Sequence, residues 1–435
     1  QAGRYTTGSN NVALGYQSMF GLSGQSSASN NTAVGYQSLF TNTTGTNNTA
    51  VGEGVMEVNT TGSGNTAMGV SALDANTSGA NNVALGIYSL SSNTTASNNV
   101  AVGYSALNAN TTGTANTAVG YESLTDNTTA NQNTAVGMYG LRRTTTGSNN
   151  TAMGYASLIT NTTGVGNVAL GHNSLYANTT ASNNTAVGTN SLIANTTGDA
   201  NTAVGALALD ANTTGTELTA VGKSALSAST GSYNTAMGSG AMANTTTATH
   251  NTAVGRIALS NNTTGANNTA VGSRALFATT TAGTNTAVGA NALTTNSTGA
   301  NNVAVGSSAL YANTTGTQNV AIGTNTLDAM LTGSYNTAIG NGALSANTSG
   351  PGNVAVGYNA MGTGTGSNGD NVAVGKDSLA VNTAGNNTAV GTQALTSNTT
   401  GADNVAVGLY ALGNNTTASL NTAVGRSSLH ANTTG

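Results

Sequence analysis

The chain has no cysteine, no tryptophan, one proline and three phenylalanines among its 435 residues, and charged side chains make up only 5% of it. Without cysteine there is neither a disulfide framework nor a thiolate metal site. A formal net charge of −4 over this length offers no clustered Lys and Arg for nucleic acid or for an anionic membrane surface. No run of eighteen apolar residues and no signal peptide occurs, so no membrane insertion is expected within this stretch. The composition is unlike that of an enzyme's globular core. Disorder is equally disfavoured, because the high charge or Pro-rich tracts that accompany it are missing.

What is present is repetition. Aligned on the glycine that closes each Asn-Thr-Ala-Val-Gly motif, from Gly15, Gly35 and Gly52 to Gly408 and Gly425, the chain has 25 anchors, and 20 of the 24 gaps between them are 17 residues. A fixed short period marks a solenoid, because one unit cannot bury its own apolar face and must stack on its neighbours. The expected fold is therefore all-β, a parallel β-solenoid or β-roll of about 25 coils, on the order of 120 Å long at the inter-strand spacing. Residues 1–435 read as a single continuous domain.

The repeat columns predict side-chain directions. Ala stands two before every anchor, flanked by Thr or Val and by Val, Leu, Met or Ile, which is a β-type triplet with the branched residues on one face and Ala on the other. Four after the anchor is always Leu or Met, as at Leu39, Leu73 and Leu107, and each such Leu buried between coils contributes roughly 1.5 to 3 kcal/mol. Four before it is Asn in 24 of 25 copies, as at Asn31, Asn48 and Asn65, which predicts an internal amide ladder. Asn-Thr-Thr-Gly, as in Asn42 to Gly45, supplies a second corner where Gly permits positive φ. Each coil then reads as strand, Gly corner, short strand and polar turn. The Ala and Gly face never accepts a large or charged residue, so Ala33, Ala50 and Ala67 are expected to pack against another chain, in a trimer about a central axis.

The motif Asn319-Val320-Ala321-Ile322-Gly323 resembles the Ser-Val-Ala-Ile-Gly signature in the head domains of trimeric autotransporter adhesins. The unit Asn31 to Leu39 followed by Asn42 to Gly45 is similar to shaft repeats of phage tail fibres. The resemblance covers nearly the whole chain and implies a left-handed parallel β-roll, three chains side by side, and attachment to host surfaces. The 17-residue period is longer than in the adhesin heads, and no coiled-coil stalk or membrane anchor is seen.

No catalytic constellation stands out. His172, His250 and His430 occupy three different columns and are far apart in sequence, the carboxylates are scattered, and the turns lack the Asp of calcium-binding rolls. No enzymatic activity, cofactor or metal is expected. Tyr36, Tyr104, Tyr121 and Tyr155 recur one residue after the anchor as candidate surface contacts. Asn42, Asn110 and Asn161 head Asn-Thr-Thr sequons and are candidate glycosylation acceptors.

Three stretches break the register, near 21–30, 216–238 and 351–375. Leu218 takes the place of the ladder Asn, so Asn201 and Asn234 are each expected to lose an amide partner, weakening 216–238. The chain opens and closes within a repeat, which suggests that capping and anchoring segments lie outside it. The expected function is an extracellular structural fibre, the shaft of a trimeric tail fibre or surface adhesin. Its expected partners are copies of itself and a host cell-surface glycan or protein. A self-assembling extracellular filament or a glycosylated surface-coat protein is the alternative.

Overall fold

The computed structural model describes residues 1–21, 26–364 and 369–435. They form an all-β parallel solenoid without a helix, with 25 three-residue strands at the 17-residue period. The chain divides into two compact units, Gln1–Glu217 and Leu218–Gly435. The first carries twelve strands, from Val12–Leu14 to Thr202–Val204, and the second carries thirteen, from Thr219–Val221 to Thr422–Val424. Parts of the irregular stretches 21–30 and 351–375 lie outside the described residues.

Within each unit the register is one to one. Thr32, Ala33 and Val34 sit opposite Thr49, Ala50 and Val51, and the same columns pair through Val100, Ala101 and Val102 with Thr117, Ala118 and Val119. The strand ends where the anchor glycine turns the chain. Every anchor has φ between 122° and 139°, a region that side chains rarely enter. A Cβ on Gly120 would also stand 2.5 Å from the carbonyl oxygen of Gly137 on the next coil. Both the backbone conformation and the stacking distance therefore demand glycine here.

Beyond the anchor the structure differs from the expected second strand. Residues one to six after it form a run of turns in which the second and fourth are left-handed, as at Gln37 (φ 52°) and Leu39 (φ 50°). The N–H of Gln37 points back to Tyr16 O at 3.1 Å, while that of Leu39 points forward to Val55 O at 3.0 Å. Left-handed Leu and Gln still hydrogen-bond to both neighbouring coils, so the turn is stitched as a strand would be. Leu in this conformation costs about 1 kcal/mol. Its full burial, seen at Leu39, Leu73 and Leu107, returns roughly 1.5 to 3 kcal/mol and outweighs that strain. The third left-handed position lies five before the anchor, as at Asn47 (φ 57°). The glycine of Asn-Thr-Thr-Gly, by contrast, is not at positive φ: Gly45 belongs to the ordinary region, and the expected role of that glycine is corrected.

Two amide ladders fill the interior. In the first, Asn31 Oδ1 accepts the backbone N–H of Asn48 at 2.8 Å and its Nδ2 donates to Gly45 O at 2.9 Å. Asn48 does the same to Asn65 and Gly62. Each of these amides thus ties the start of the next strand to the turn that precedes it. The second ladder runs through the Asn of Asn-Thr-Thr-Gly. Asn59 Nδ2 donates to Asn42 Oδ1 at 3.0 Å, and Asn76 Nδ2 to Asn59 Oδ1 at 2.8 Å. Direct amide-to-amide stacking is strongest in this second column, where the sequence suggested only a corner.

The second ladder has gaps. Thr144 and Met330 stand in its column, and the buried Oδ1 atoms of Asn127 and Asn313, one coil before them, have no partner. An orphaned buried acceptor costs about 1 to 3 kcal/mol. At Leu218 the outcome differs from expectation. Asn234 Nδ2 donates to Ala248 O at 2.7 Å and its Oδ1 accepts from Asn251 N at 2.9 Å, while Asn201 Nδ2 donates to Gly215 O at 2.8 Å. Neither amide is stranded, because each bonds to backbone. Leu218 itself is completely buried and is the first residue of the second unit.

Two substitutions test the framework. Gly120→Ala is expected to cost at least about 2 kcal/mol and to expose the amides of the adjoining coils to hydrogen exchange. Gly113→Ala is expected to cost less than Gly120→Ala: a Cβ there would stand 2.3 Å from the Ala130 carbonyl oxygen, so the coils must shift, but the backbone is not at positive φ and Ala96 and Ala130 show that the column admits a methyl group. Equal protection in the two variants would show that the anchor is not the constrained position. Thr144→Asn should satisfy Asn127 and stabilise the adjoining coils by about 1 kcal/mol; faster exchange over 127–150 would contradict the ladder account.

Candidate functional site

The strand triplet presents opposite faces to core and solvent. Ala33, Ala50 and Ala67 have 0% exposure in the single chain, and their expected place at an inter-chain face is corrected. The residues on either side of the Ala point outward instead. The outer face of the sheet is therefore a double column, Thr or Val beside Val, Leu, Met or Ile, and neither column holds a charge in any coil.

In the first unit a third column widens this face. One residue after the anchor, consecutive coils carry Val70, Ile87, Tyr104, Tyr121, Met138 and Tyr155, all exposed. Beside them Met68, Val136 and Met153 of the outer strand column are also exposed. Six coils at the strand spacing and three columns two residues apart give an apolar area on the order of 400 Å². That lies within the roughly 300 to 600 Å² of the largest apolar patch on an ordinary monomer, a patch that is often functional. In the second unit the same third column is mostly polar, as at Lys223, Ser239, Arg256 and Ser273, with Ala290, Tyr358 and Leu409 as the apolar or aromatic exceptions.

The tyrosines of the rim stack along the coils. Tyr16 lies parallel to Tyr36, centroids 5.8 Å apart, and Tyr104 lies parallel to Tyr121 at 5.2 Å. Tyr88 and Tyr139, one position further round, meet this column edge-on: Tyr88 to Tyr104 at 6.2 Å, Tyr121 to Tyr139 at 5.7 Å and Tyr139 to Tyr155 at 6.0 Å. His172 closes the run, stacked on Tyr155 at 5.2 Å. Periodicity in a single column did not reveal Tyr88 and Tyr139; the signal was their position beside the anchor-plus-one column in adjacent coils. The other two histidines also meet tyrosines, His250 on Tyr233 and His430 on Tyr410. Arg142 bonds Glu122 at 2.8 Å and lies 5.2 Å from the Tyr139 ring centre. A hydrogen bond to Glu122, and then its charge, holds the Tyr121 phenol above its usual range.

The candidate glycosylation residues are not at the surface. Asn42, Asn110 and Asn161 are buried, and their Nδ2 atoms donate to Gly45, Gly113 and Gly164 carbonyls at 3.0 to 3.1 Å. The folded chain withholds these nitrogens from any transferase. The Asn-Asn-Thr sequons differ, since the left-handed Asn30, Asn47 and Asn149 are exposed.

Among the described residues no three His, Asp or Glu come together to hold a metal ion, and no helix is long and apolar enough to cross a membrane. Asp74, Asp210 and Asp328 share the column five after the anchor, in separate coils, and desolvation raises each carboxyl above its ordinary range. Asp210 Oδ1 has no hydrogen-bond partner. No family model matches the chain, and no curated protein matches it.

A carboxyl whose folded pKa is raised makes the chain less stable once it ionises. Its stability is fully present below the ordinary Asp pKa of about 3.9 and falls as pH rises through the higher folded value. The triple variant Asp74→Asn, Asp210→Asn, Asp328→Asn should therefore lose less thermal stability than the parent between pH 4 and pH 7. A parallel fall in the two proteins would show that these carboxyls are not desolvated.

Proposed function

We propose that this chain is a non-catalytic extracellular structural element, the shaft of a fibre that serves attachment to a host or other surface, and that it works as an association of copies of itself, a trimer being the preferred form. The observation that carries this reading is the outer sheet face. Two uncharged columns run through every coil, and in the first unit they merge with an apolar, aromatic rim. Tolerant surface columns of the same chain accept Lys, Arg, Asp, Glu and His freely, so the absence of charge from these two is not a matter of composition alone. A face kept uncharged through 25 copies, beside a rim that does take charge, fits burial against another chain. Repeated coils with no convergent polar groups suit a load-bearing or spacing role better than turnover of a substrate. The resemblance of the repeat to adhesin heads and tail-fibre shafts favours attachment at a surface, with a cell-surface glycan or protein as the distal partner.

The test is the state of association. Light scattering of the purified chain should give one discrete oligomer, a trimer, and Val119→Lys with Val136→Lys should convert it to monomer with the far-ultraviolet circular dichroism unchanged. A parent protein that is already monomeric at micromolar concentration would sink the self-association reading. An average size that climbs continuously with concentration would replace the closed shaft by an open filament.

A further inference from the structure

The rim of the first unit also holds an arrangement of rings with chemistry of its own. Tyr88, Tyr104, Tyr121, Tyr139, Tyr155 and His172 form an unbroken run of rings, each 5.2 to 6.2 Å from the next. Within it Tyr104 and Tyr121 are parallel to within 13° and similarly exposed, at 43% and 42%. They occupy the same column of consecutive coils, so the in-register pairing of Val102 with Val119 holds their Cα atoms at one strand spacing. Tyr16 and Tyr36 repeat the arrangement, parallel to within 8°. The chain contains neither cysteine nor tryptophan, so phenols are its principal one-electron donors and no disulfide links any coil to the next.

We propose that this tyrosine ladder is an oxidative cross-linking site, at which Tyr104 and Tyr121, and likewise Tyr16 and Tyr36, are joined as dityrosine rungs by a peroxidase-type oxidant and hydrogen peroxide. Each phenol loses one electron and one proton to the oxidant and becomes a phenoxyl radical. The two radicals pair their unpaired electrons in a carbon–carbon bond between ring carbons ortho to the oxygens. The hydrogens on those carbons shift to the oxygens, restoring both hydroxyls and both aromatic rings. Hydrogen peroxide takes up the two electrons and two protons and leaves as two molecules of water. Fixed proximity is what distinguishes the ladder from isolated tyrosines. A radical whose partner is held at ring-stacking distance couples within the chain, whereas a lone phenoxyl must wait for an encounter with another molecule. Electron exchange between rings 5 to 6 Å apart lets oxidation anywhere from Tyr88 to Tyr155 reach the parallel pair. A rung between these residues closes a 17-residue loop covalently, the constraint that disulfides provide in other extracellular chains.

The experiment treats the full chain with a haem peroxidase and hydrogen peroxide, separates products by denaturing electrophoresis, and maps linked peptides in each band. The expected result is dityrosine joining the Tyr104 and Tyr121 peptides, and the Tyr16 and Tyr36 peptides, recovered from the band of monomer mass. Tyr311 and Tyr335 have no tyrosine ring stacked on them among the described residues and should yield linked peptides only in bands of higher mass. Tyr121→Phe keeps the ring but removes the phenol, and should reduce the first rung to background while leaving the second unchanged. A monomer band without the 104–121 linkage, or linkages spread over all exposed tyrosines regardless of stacking, would overturn the proposal.

Discussion

One constraint governs each unit: a backbone must pass within contact distance of its own copy every 17 residues. At the anchor glycine the next coil's carbonyl occupies the place of a Cβ, as it does at the glycine of Asn-Thr-Thr-Gly. Because the anchor has positive φ in every coil, the turn is made the same way each time and the register cannot drift by a residue. The columns follow from that identity. A side chain always meets the same column above and below, so whatever stands inside must be compatible with itself.

Self-compatibility explains the unusual interior. Leu packs on Leu, Ala on Ala, and Asn carries a short amide that can both donate and accept in a repeating stack. The two Asn ladders act differently. The first bonds mostly to backbone, so Asn234, one coil past Leu218, keeps the Ala248 carbonyl and the Asn251 N–H as side-chain partners. The second bonds side chain to side chain as well as to the Gly carbonyl; a missing member at Thr144 or Met330 leaves an acceptor without a partner, whereas at Ser229 and Thr279 the Oδ1 atoms of Asn212 and Asn262 accept the N–H of Gly215 and Gly265. A backbone N–H within reach, rather than burial, decides whether the loss of a rung leaves an orphan.

The surface follows the same logic with opposite effect. Like side chains stacked on a rim either repel, if charged, or form an array, if aromatic. The outer strand columns hold no charge at all, and the first unit adds exposed Tyr, Met, Ile and Val beside them. A regular interior therefore produces a regular exterior, and regular exteriors favour contacts that are themselves repetitive: another copy of the chain along the strand face, and ring upon ring along the rim.

The period, the parallel all-β fold, the buried Leu column and the first Asn column were all legible in the sequence, because each depends on repetition that is visible without coordinates. The direction of the Thr-Ala-Val strand was not. Alternation separates two faces but carries no sign, and uniform smallness suits an inter-chain contact as well as a shallow interior; the tertiary structure alone places Ala33 inside and Val34 outside. The left-handed Leu39 was hidden for a related reason, since burial of its side chain compensates a backbone conformation that local preference disfavours. Asn42 looked like a turn residue and a sequon, and stacking made it a buried rung. The run from Tyr88 to His172 was divided between two sequence columns and became continuous only when coils lay on one another. The sequence by itself determined that the chain repeats and which side chains recur. Only the stacking of coils decided what each recurring side chain touches, because in a solenoid nearly every contact is made with a residue one period away.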